Sequence, residues 1–162
     1  MGNEELSLEN GDKYKGDLVD GKKHGKGRYF YHDGSKYEGD FRDDKKCGKG
    51  RYKYPSGNEY VGTFDNDVMD GKGVFTFANG NKYDGEFKNG VMQGKGTFTT
   101  KTGIKYVGNF VNGDFEGEGV LKEGKSKYTG SFKGGKKHGH GVLVQPDGKK
   151  IEGNWKDDVF VQ

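Results

Sequence analysis

Polar and apolar residues alternate along this chain in short runs, and the runs recur at a fixed spacing. A tyrosine begins each of the first six copies and an isoleucine begins the seventh, and successive copies are 23, 23, 23, 23, 22 and 23 residues apart. Two positions after each tyrosine comes a glycine, and two positions further comes a leucine or an aromatic residue. Self-similarity at a period of this size predicts a repeat protein. The copies begin at Tyr14, Tyr37, Tyr60, Tyr83, Tyr106, Tyr128 and Ile151.

Each copy predicts two β-strands, because turn-like pairs such as Asn-Gly and Asp-Gly bound segments of about five or six residues. Residues i, i+2 and i+4 of a strand share one face. Tyr83, Gly85 and Phe87 therefore point one way, and Asp84 and Glu86 point the other. We predict an all-β fold, an elongated, curved, single-layer antiparallel sheet of stacked β-hairpins. The rings and glycines would line a trough, and the charges would cover its outside.

The period divides the chain into three parts. Residues 1–10 form a polar lead-in, and residues 11–156 form the repeat array of six repeats and a partial seventh. Residues 157–162 form an apolar C-terminal strand. This strand either caps the open edge of the sheet or pairs with a second copy of itself, and we favour the cap.

Composition narrows the function classes. The chain has 28% hydrophobic residues and 32 glycines, which alone would favour disorder, but the aromatic residues recur in phase with the glycines. The net charge is +3 with interleaved signs, which argues against a nucleic-acid-binding protein. Cys47 is the single cysteine, and no apolar run approaches the ~20 residues of a membrane helix. We therefore expect a cytoplasmic protein.

One column of the repeat resembles a set of metal ligands. It contains His24, Cys47, Asp70, Glu116 and His138. Equivalent positions are two strands apart, roughly 10 Å, whereas zinc ligands lie ~2.0–2.3 Å from one ion. The glycine-rich runs also lack the Ser or Thr and the helix start of a phosphate-binding loop. We predict no metal, no cofactor and no catalytic residues, and hence a protein that is not an enzyme.

The unit Tyr-x-Gly-x-Phe/Trp, followed by Asn-Gly-x-x-x-Gly-Lys-Gly and an aromatic strand, resembles the MORN repeat (membrane occupation and recognition nexus). The resemblance covers residues 11 to about 156. Departures are Leu18, Ile151 and a turn near Lys125 that is one residue shorter. The resemblance implies stacked MORN hairpins with an aromatic groove.

It also implies a function. The expected role is a non-enzymatic scaffold or adaptor that binds a partner helix or extended peptide, in a cytoskeletal or ciliary (axonemal, radial-spoke-like) assembly. The location would be cytoplasmic, associated with the cytoskeleton or the cilium. The sequence leaves open whether the rings are free for a ligand or serve only as the core. The groove residues on this interpretation are Tyr29, Tyr31, Tyr37, Phe41, Tyr52, Tyr54, Tyr60, Phe64, Phe75, Phe77, Tyr83, Phe87, Phe98, Tyr106 and Phe110.

Two further surfaces vary between copies. An apolar loop strip predicts a protein contact or, alternatively, residues that seal the rim of the trough; it contains Val68, Met69, Val91, Met92 and Phe115. Basic loops provide the alternative function, a peripheral tether to anionic phospholipids, at ~1 kcal/mol for each lysine. These lysines are Lys22, Lys23, Lys45, Lys46, Lys136 and Lys137. Self-association as a homodimer through the C-terminal edge is compatible with either function.

Overall fold

A computed structural model describes residues 4–162, and these residues form strands and turns without any helix. The strands belong to one antiparallel sheet in which strand order follows sequence order. No helix in this described range is long and apolar enough to cross a membrane. The all-β sheet of stacked hairpins expected from the sequence is therefore confirmed, and residues 1–3 of the predicted lead-in lie outside the description. The strands are β1 (Glu4–Ser7), β2 (Lys13–Val19), β3 (Lys22–Phe30), β4 (Lys36–Arg42), β5 (Lys45–Lys53), β6 (Glu59–Asp65), β7 (Val68–Thr76), β8 (Lys82–Lys88), β9 (Val91–Thr99), β10 (Lys105–Val111), β11 (Asp114–Glu123), β12 (Ser126–Lys133), β13 (Lys136–Val144), β14 (Lys150–Lys156) and β15 (Val159–Phe160).

The chain divides into two compact units. The first ends at Ala78 and also includes Lys88–Gly90, and the second comprises Asn79–Phe87 and Val91–Gln162. In the first unit β1 pairs with β2 through Leu6 and Tyr14, so part of the predicted lead-in is a strand. In the second unit β15 pairs with β14, which places the C-terminal residues against the preceding strand.

Tight two-residue turns join the two strands of each repeat. Asn66 and Asp67 have φ angles of 53° and 75°, and Asn89 and Gly90 have 51° and 80°. Two successive positive φ angles define a type I′ turn, whose twist matches that of the flanking strands and which favours Asn, Asp and Gly. The dipeptides that predicted turns in the sequence therefore form them.

The core is a row of buried tyrosines, one in each of the first six repeats, and each ring lies over glycines of its own hairpin. Tyr83 has no exposed surface. A Cβ atom added to Gly96 would come within 2.6 Å of the Tyr83 ring, so only glycine leaves room for it. Phe87 and Phe110 flank the same ring edge-on, with centroids 5.1 and 4.8 Å away. Edge-to-face contacts at this distance are favourable.

The tyrosine hydroxyl completes this arrangement by donating to the backbone carbonyl three residues ahead. Tyr60 donates to the carbonyl oxygen of Thr63 at 2.7 Å. The pairing of β6 with β7 skips Thr63 at a β-bulge between Gly62 and Phe64. A bulge leaves its extra residue outside the regular ladder, and the hydroxyl supplies a donor to that residue. The motif Tyr-x-Gly-x-Phe therefore encodes the ring, the glycine beneath it, the bulge and the flanking ring.

The tyrosines predict an alkaline limit to stability. Burial raises the pKa of Tyr83 and of Tyr106 from the ordinary value of 10.0 to about 12. Unfolded tyrosines lose their protons near pH 10, whereas folded ones keep theirs. The stabilisation is therefore complete below pH 10 and is lost as the pH rises through about 12.

We expect phenolate ultraviolet absorbance to rise steeply and together with the loss of β-structure in circular dichroism during an alkaline titration. Gradual ionisation near the ordinary tyrosine pKa, with the fold intact, would contradict the buried row.

Candidate functional site

The structure places nine of the predicted groove rings in the core. At most 5% of the surface of each of four of them is exposed, so a partner could contact them only if the protein unfolded locally; these are Tyr37, Phe41, Tyr60 and Phe64. Their burial follows from the repeat geometry, since each ring lies between glycines and the rings of neighbouring repeats. The nine are Tyr29, Tyr37, Phe41, Tyr60, Phe64, Tyr83, Phe87, Tyr106 and Phe110.

The other six rings are partly exposed, and five of them follow one another across the first unit. We call Tyr31, Tyr52, Tyr54, Phe75 and Phe77 the ring ladder. Successive centroids along it are 5.6, 4.6, 5.8 and 4.7 Å apart, with planes inclined by 45–54°. The sixth ring, Phe98, lies in the second unit, 6.1 Å from Phe115. Contact of a partner with these rings remains a prediction.

The apolar loop strip divides by side-chain direction. Val68 and Val91 are exposed. Met69 instead turns to the rings, with its Sδ 4.0 Å from the Tyr54 hydroxyl, and Phe115 stacks on Tyr106 at 3.8 Å. Met69 and Phe115 thus pack on the aromatic face.

Three of the six lysines predicted to contact lipid also lie over rings. The Lys46 ammonium group is 5.7 Å from the centroid of Tyr37 and 3.6 Å from the carboxylate of Asp67. Lys23 likewise lies 5.3 Å from the Tyr29 centroid and 3.2 Å from Asp44. A cation over a ring is attracted to its face, and a long aliphatic stem covers apolar surface. Lys137 has a similar position over Tyr128 and Trp155, whereas Lys22, Lys45 and Lys136 are exposed.

This column of lysines, methionines and Phe115 is coupled to the turn of the following repeat. In every copy a turn N–H donates to the backbone carbonyl of the column residue, as Gly90 does to Met69 at 2.9 Å. Copies with lysine in the column have aspartate in the turn, and copies with Met or Phe have glycine. The aspartate carboxylate also accepts from the lysine backbone N–H, as in Asp67 and Lys46 at 2.8 Å. The pairs are Lys23 with Asp44, Lys46 with Asp67, Lys137 with Asp158, Met69 with Gly90, Met92 with Gly113 and Phe115 with Gly135.

The neighbouring column, which resembled a metal site in the sequence, has a structural role in the apolar copies. Its Asp70 and Glu116 accept from the turn N–H groups of Asn89 at 3.3 Å and Gly134 at 2.9 Å. Within residues 4–162, no group of three or more His, Cys, Asp or Glu side chains is placed to hold a metal ion.

The coupling of lysine and aspartate can be measured. We expect Asp67→Gly to destabilise the protein more in the wild type than in a Lys46→Met background, with a coupling energy of about 0.5–1 kcal/mol for such partly exposed charges. The preference of glycine for the positive φ angle at this turn cancels between the two backgrounds. Denaturant unfolding of the four proteins measures the coupling, and equal effects of Asp67→Gly in both backgrounds would contradict it.

A cluster at the start of the array resembles a catalytic arrangement. The buried Asp12 carboxylate accepts from the Tyr29 hydroxyl at 2.6 Å and lies 2.7 Å from Nδ1 of His32. The Tyr29 hydrogen bond is the largest of several contacts that lower the pKa of Asp12 to about 2. Asp12 also accepts from the His32 backbone N–H at 2.7 Å, and Asn58 accepts in the same way from Ala78. We therefore interpret the cluster as one instance of a side-chain-to-backbone hydrogen bond that links consecutive repeats, and not as a catalytic site.

An open groove lies on the opposite face of the first unit from the rings. It has a volume of about 1360 Å³, and its floor is the backbone of a glycine row. On the opposite face, the buried tyrosine rings lie over the same glycines and fill the space above them. We call this feature the glycine groove, and its charged lining residues are Lys15, Lys26, Arg28, Lys49, Arg51, Lys72, Asp17 and Glu38.

These features define a class of protein, a repeat array of β-hairpins in which a buried tyrosine packs over the glycines of each of the first six hairpins. Comparison with known families identifies the repeat. Six segments match the MORN repeat, at residues 14–36, 37–59, 60–82, 83–105, 106–122 and 128–150. The chain therefore belongs to the MORN-repeat family. No curated protein sequence matches it.

Two of the solved structures that match this chain are domains of animal proteins. The SAS-4 (dCPAP) TCP domain of Drosophila melanogaster, solved with a proline-rich motif of Ana2 (dSTIL), has a TM-score of 0.56 and 16% identity, over 94% of this chain and 89% of that chain. The TCP10 domain of Danio rerio CPAP, solved with a STIL peptide, has a TM-score of 0.32 and 13% identity, over 93% and 82%. The first likeness supports the fold.

Proposed function

We propose that this protein is a scaffold that binds an extended, proline-rich segment of a partner protein across the ring ladder. The observation that carries the proposal is the unbroken succession of partly exposed rings from Tyr31 to Phe77 in the first unit. Rigid rings provide a large contact area at a low cost in conformational entropy.

The chemistry of the ring ladder suits a polyproline II segment. Such a segment is extended before it binds, and surfaces lined with aromatic side chains recognise it. The tyrosine hydroxyls at the ladder supply donors for peptide carbonyl groups that have no partner within the segment. Lys46, 5.6 Å from the Tyr52 centroid, adds a positive charge beside the rings.

The similar SAS-4 TCP domain was solved with a proline-rich motif, which supports this ligand class for a related fold. The family resemblance adds the expectation of a cytoskeletal or ciliary assembly. The lipid alternative loses three of its six lysines, since Lys23, Lys46 and Lys137 lie over rings.

A display library of random peptides tests the proposal without a known partner. We expect peptides selected on the wild-type protein to be enriched in proline. The double variant Tyr54→Ala/Phe75→Ala should bind them at least about tenfold more weakly, because it removes two adjacent ring contacts.

The matched control is Val107→Ala/Val111→Ala, which removes two exposed apolar side chains of the second unit. Thermal unfolding of each variant establishes that it is folded. Selected peptides without proline enrichment, or equal losses in both double variants, would overturn the proposal.

A further inference from the structure

The glycine groove has an excess of positive charge that the ring ladder does not use. Its lining contains six basic side chains and two acidic ones. Lys26 forms an ion pair with Asp40 at 2.6 Å, and Arg28 forms one with Glu38 at 3.6 Å. Lys49 and Lys72 form no ion pair with any residue between 4 and 162. Uncompensated charge therefore remains within the groove.

We propose that the glycine groove binds an acidic, extended peptide segment, at a site distinct from the ring ladder. Charge complementarity favours Asp and Glu side chains, which the free ammonium groups of Lys49 and Lys72 would meet. The proposal concerns a second surface, so it does not depend on the function of the rings.

The dimensions of the groove suit a peptide better than a small molecule. Its volume of about 1360 Å³ exceeds the roughly 300–1,000 Å³ of typical small-molecule pockets. The lining residues come from the six strands β2 to β7. At ~4.8 Å between adjacent strands, the groove measures about 24 Å from β2 to β7. A polyproline II segment of about eight residues has this length, at ~3.1 Å per residue.

The lysines also set a repeat distance along the groove. Lys26, Lys49 and Lys72 lie on β3, β5 and β7, two strands apart, hence at intervals of about 9.6 Å. Polyproline II has three residues per turn, and its side chains at every third position face the same way at about 9.3 Å. Acidic side chains three residues apart would therefore meet the unpaired Lys49 and Lys72 in turn.

The lining argues against other polyanions. It contains no aromatic ring on which a nucleic-acid base could stack. Asp17 and Glu38 would repel a phosphate backbone, whereas a peptide offers backbone N–H groups to these carboxylates.

The test is fluorescence anisotropy of a labelled peptide of repeated Glu-Ser-Gly triplets, which lacks the prolines that the ring ladder is proposed to bind and still populates the polyproline II conformation as an unfolded chain. We expect the wild-type protein to bind it, more weakly at higher salt, and more tightly than a peptide of the same composition with its glutamates clustered. Lys49→Gln/Lys72→Gln should weaken binding at least about tenfold.

The matched control is Lys105→Gln/Lys122→Gln, which changes the net charge equally at two exposed lysines of the second unit. It should leave the affinity within about twofold. Tyr54→Ala/Phe75→Ala should also leave it unchanged, which separates the groove from the ring ladder.

Four results would overturn the proposal. They are absence of binding, equal losses in the groove variant and its control, equal affinity for the clustered peptide, and loss of binding in the ring variant. Tighter binding of a single-stranded oligonucleotide or of phosphatidylserine vesicles at the same salt would assign the groove to those ligands instead.

Discussion

Replacing Gly62 with alanine is expected to lower the free energy of unfolding by about 3 kcal/mol or more, a large share of the roughly 5–15 kcal/mol of a typical domain. A Cβ atom there would lie 2.5 Å from the Gly73 Cα atom and 2.6 Å from the carbonyl oxygen of Lys72. Both are backbone atoms, so no side-chain rotation relieves the clash, and β6 and β7 would have to separate. Urea unfolding followed by circular dichroism measures the loss.

The control for this substitution is Gly124→Ala. Gly124 has a φ angle of +61° and no atom within 4 Å of an added Cβ, so alanine meets conformational strain but no clash. We expect a cost of about 1 kcal/mol. Comparable losses at Gly62 and Gly124 would show that backbone freedom alone, rather than close packing, requires the glycines.

Removing one ring of the tyrosine row has the second large effect. Tyr37→Ala is expected to cost about 3–5 kcal/mol, as for other buried aromatic side chains. The ring is 1% exposed and lies edge-on to Phe41 at 5.0 Å and to Phe64 at 5.2 Å. Its loss leaves a cavity between two repeats.

Tyr37→Phe separates the hydroxyl from the ring. It removes only the hydrogen bond from the Tyr37 hydroxyl to the Asp40 carbonyl oxygen, 2.7 Å in length. We expect a cost of about 1–1.5 kcal/mol. If the free energy of unfolding of Tyr37→Ala were within 1 kcal/mol of the wild-type value, the proposed core would be contradicted. The ring would then be a free contact surface.

The strands and turns could be predicted from the sequence because two independent signals agree at every copy. The turn pairs, such as Asn89 and Gly90, fall at a fixed distance from alternating segments such as residues 83–87. The structure has the turn and the strand at these positions. Repetition makes the register unambiguous, because an error of one residue would turn every ring to the wrong face.

The division of the rings into core and ladder could not be predicted. Alternation gives Tyr52 and Tyr60 the same face, but burial differs because the Tyr60 ring lies over Gly73 of the neighbouring strand β7. The face on which a groove opens is also invisible to alternation, which only separates the two faces. It depends on how the rings fill their own side.

The position of the long side chains was missed for a related reason. A lysine in a polar loop is expected to extend into solvent, yet the stem of Lys46 lies along the rings and its charge is near Asp67. The sequence contains a signal for this position. Copies with lysine in the column have aspartate in the following turn, and copies with methionine have glycine there. The signal becomes meaningful only when the 21-residue separation is known to be a contact.

The most direct test of the proposed scaffold function is nuclear magnetic resonance of the protein titrated with a proline-rich peptide from the display selection. We predict that the largest shift changes occur at the ring protons of Tyr31, Tyr52, Tyr54 and Phe75, while those of the buried Tyr37 and Tyr60 change little. Saturable changes confined to these rings would support binding across the ladder. Changes confined to the sheet edges or to the glycine groove, with the ladder rings unaffected, would contradict it.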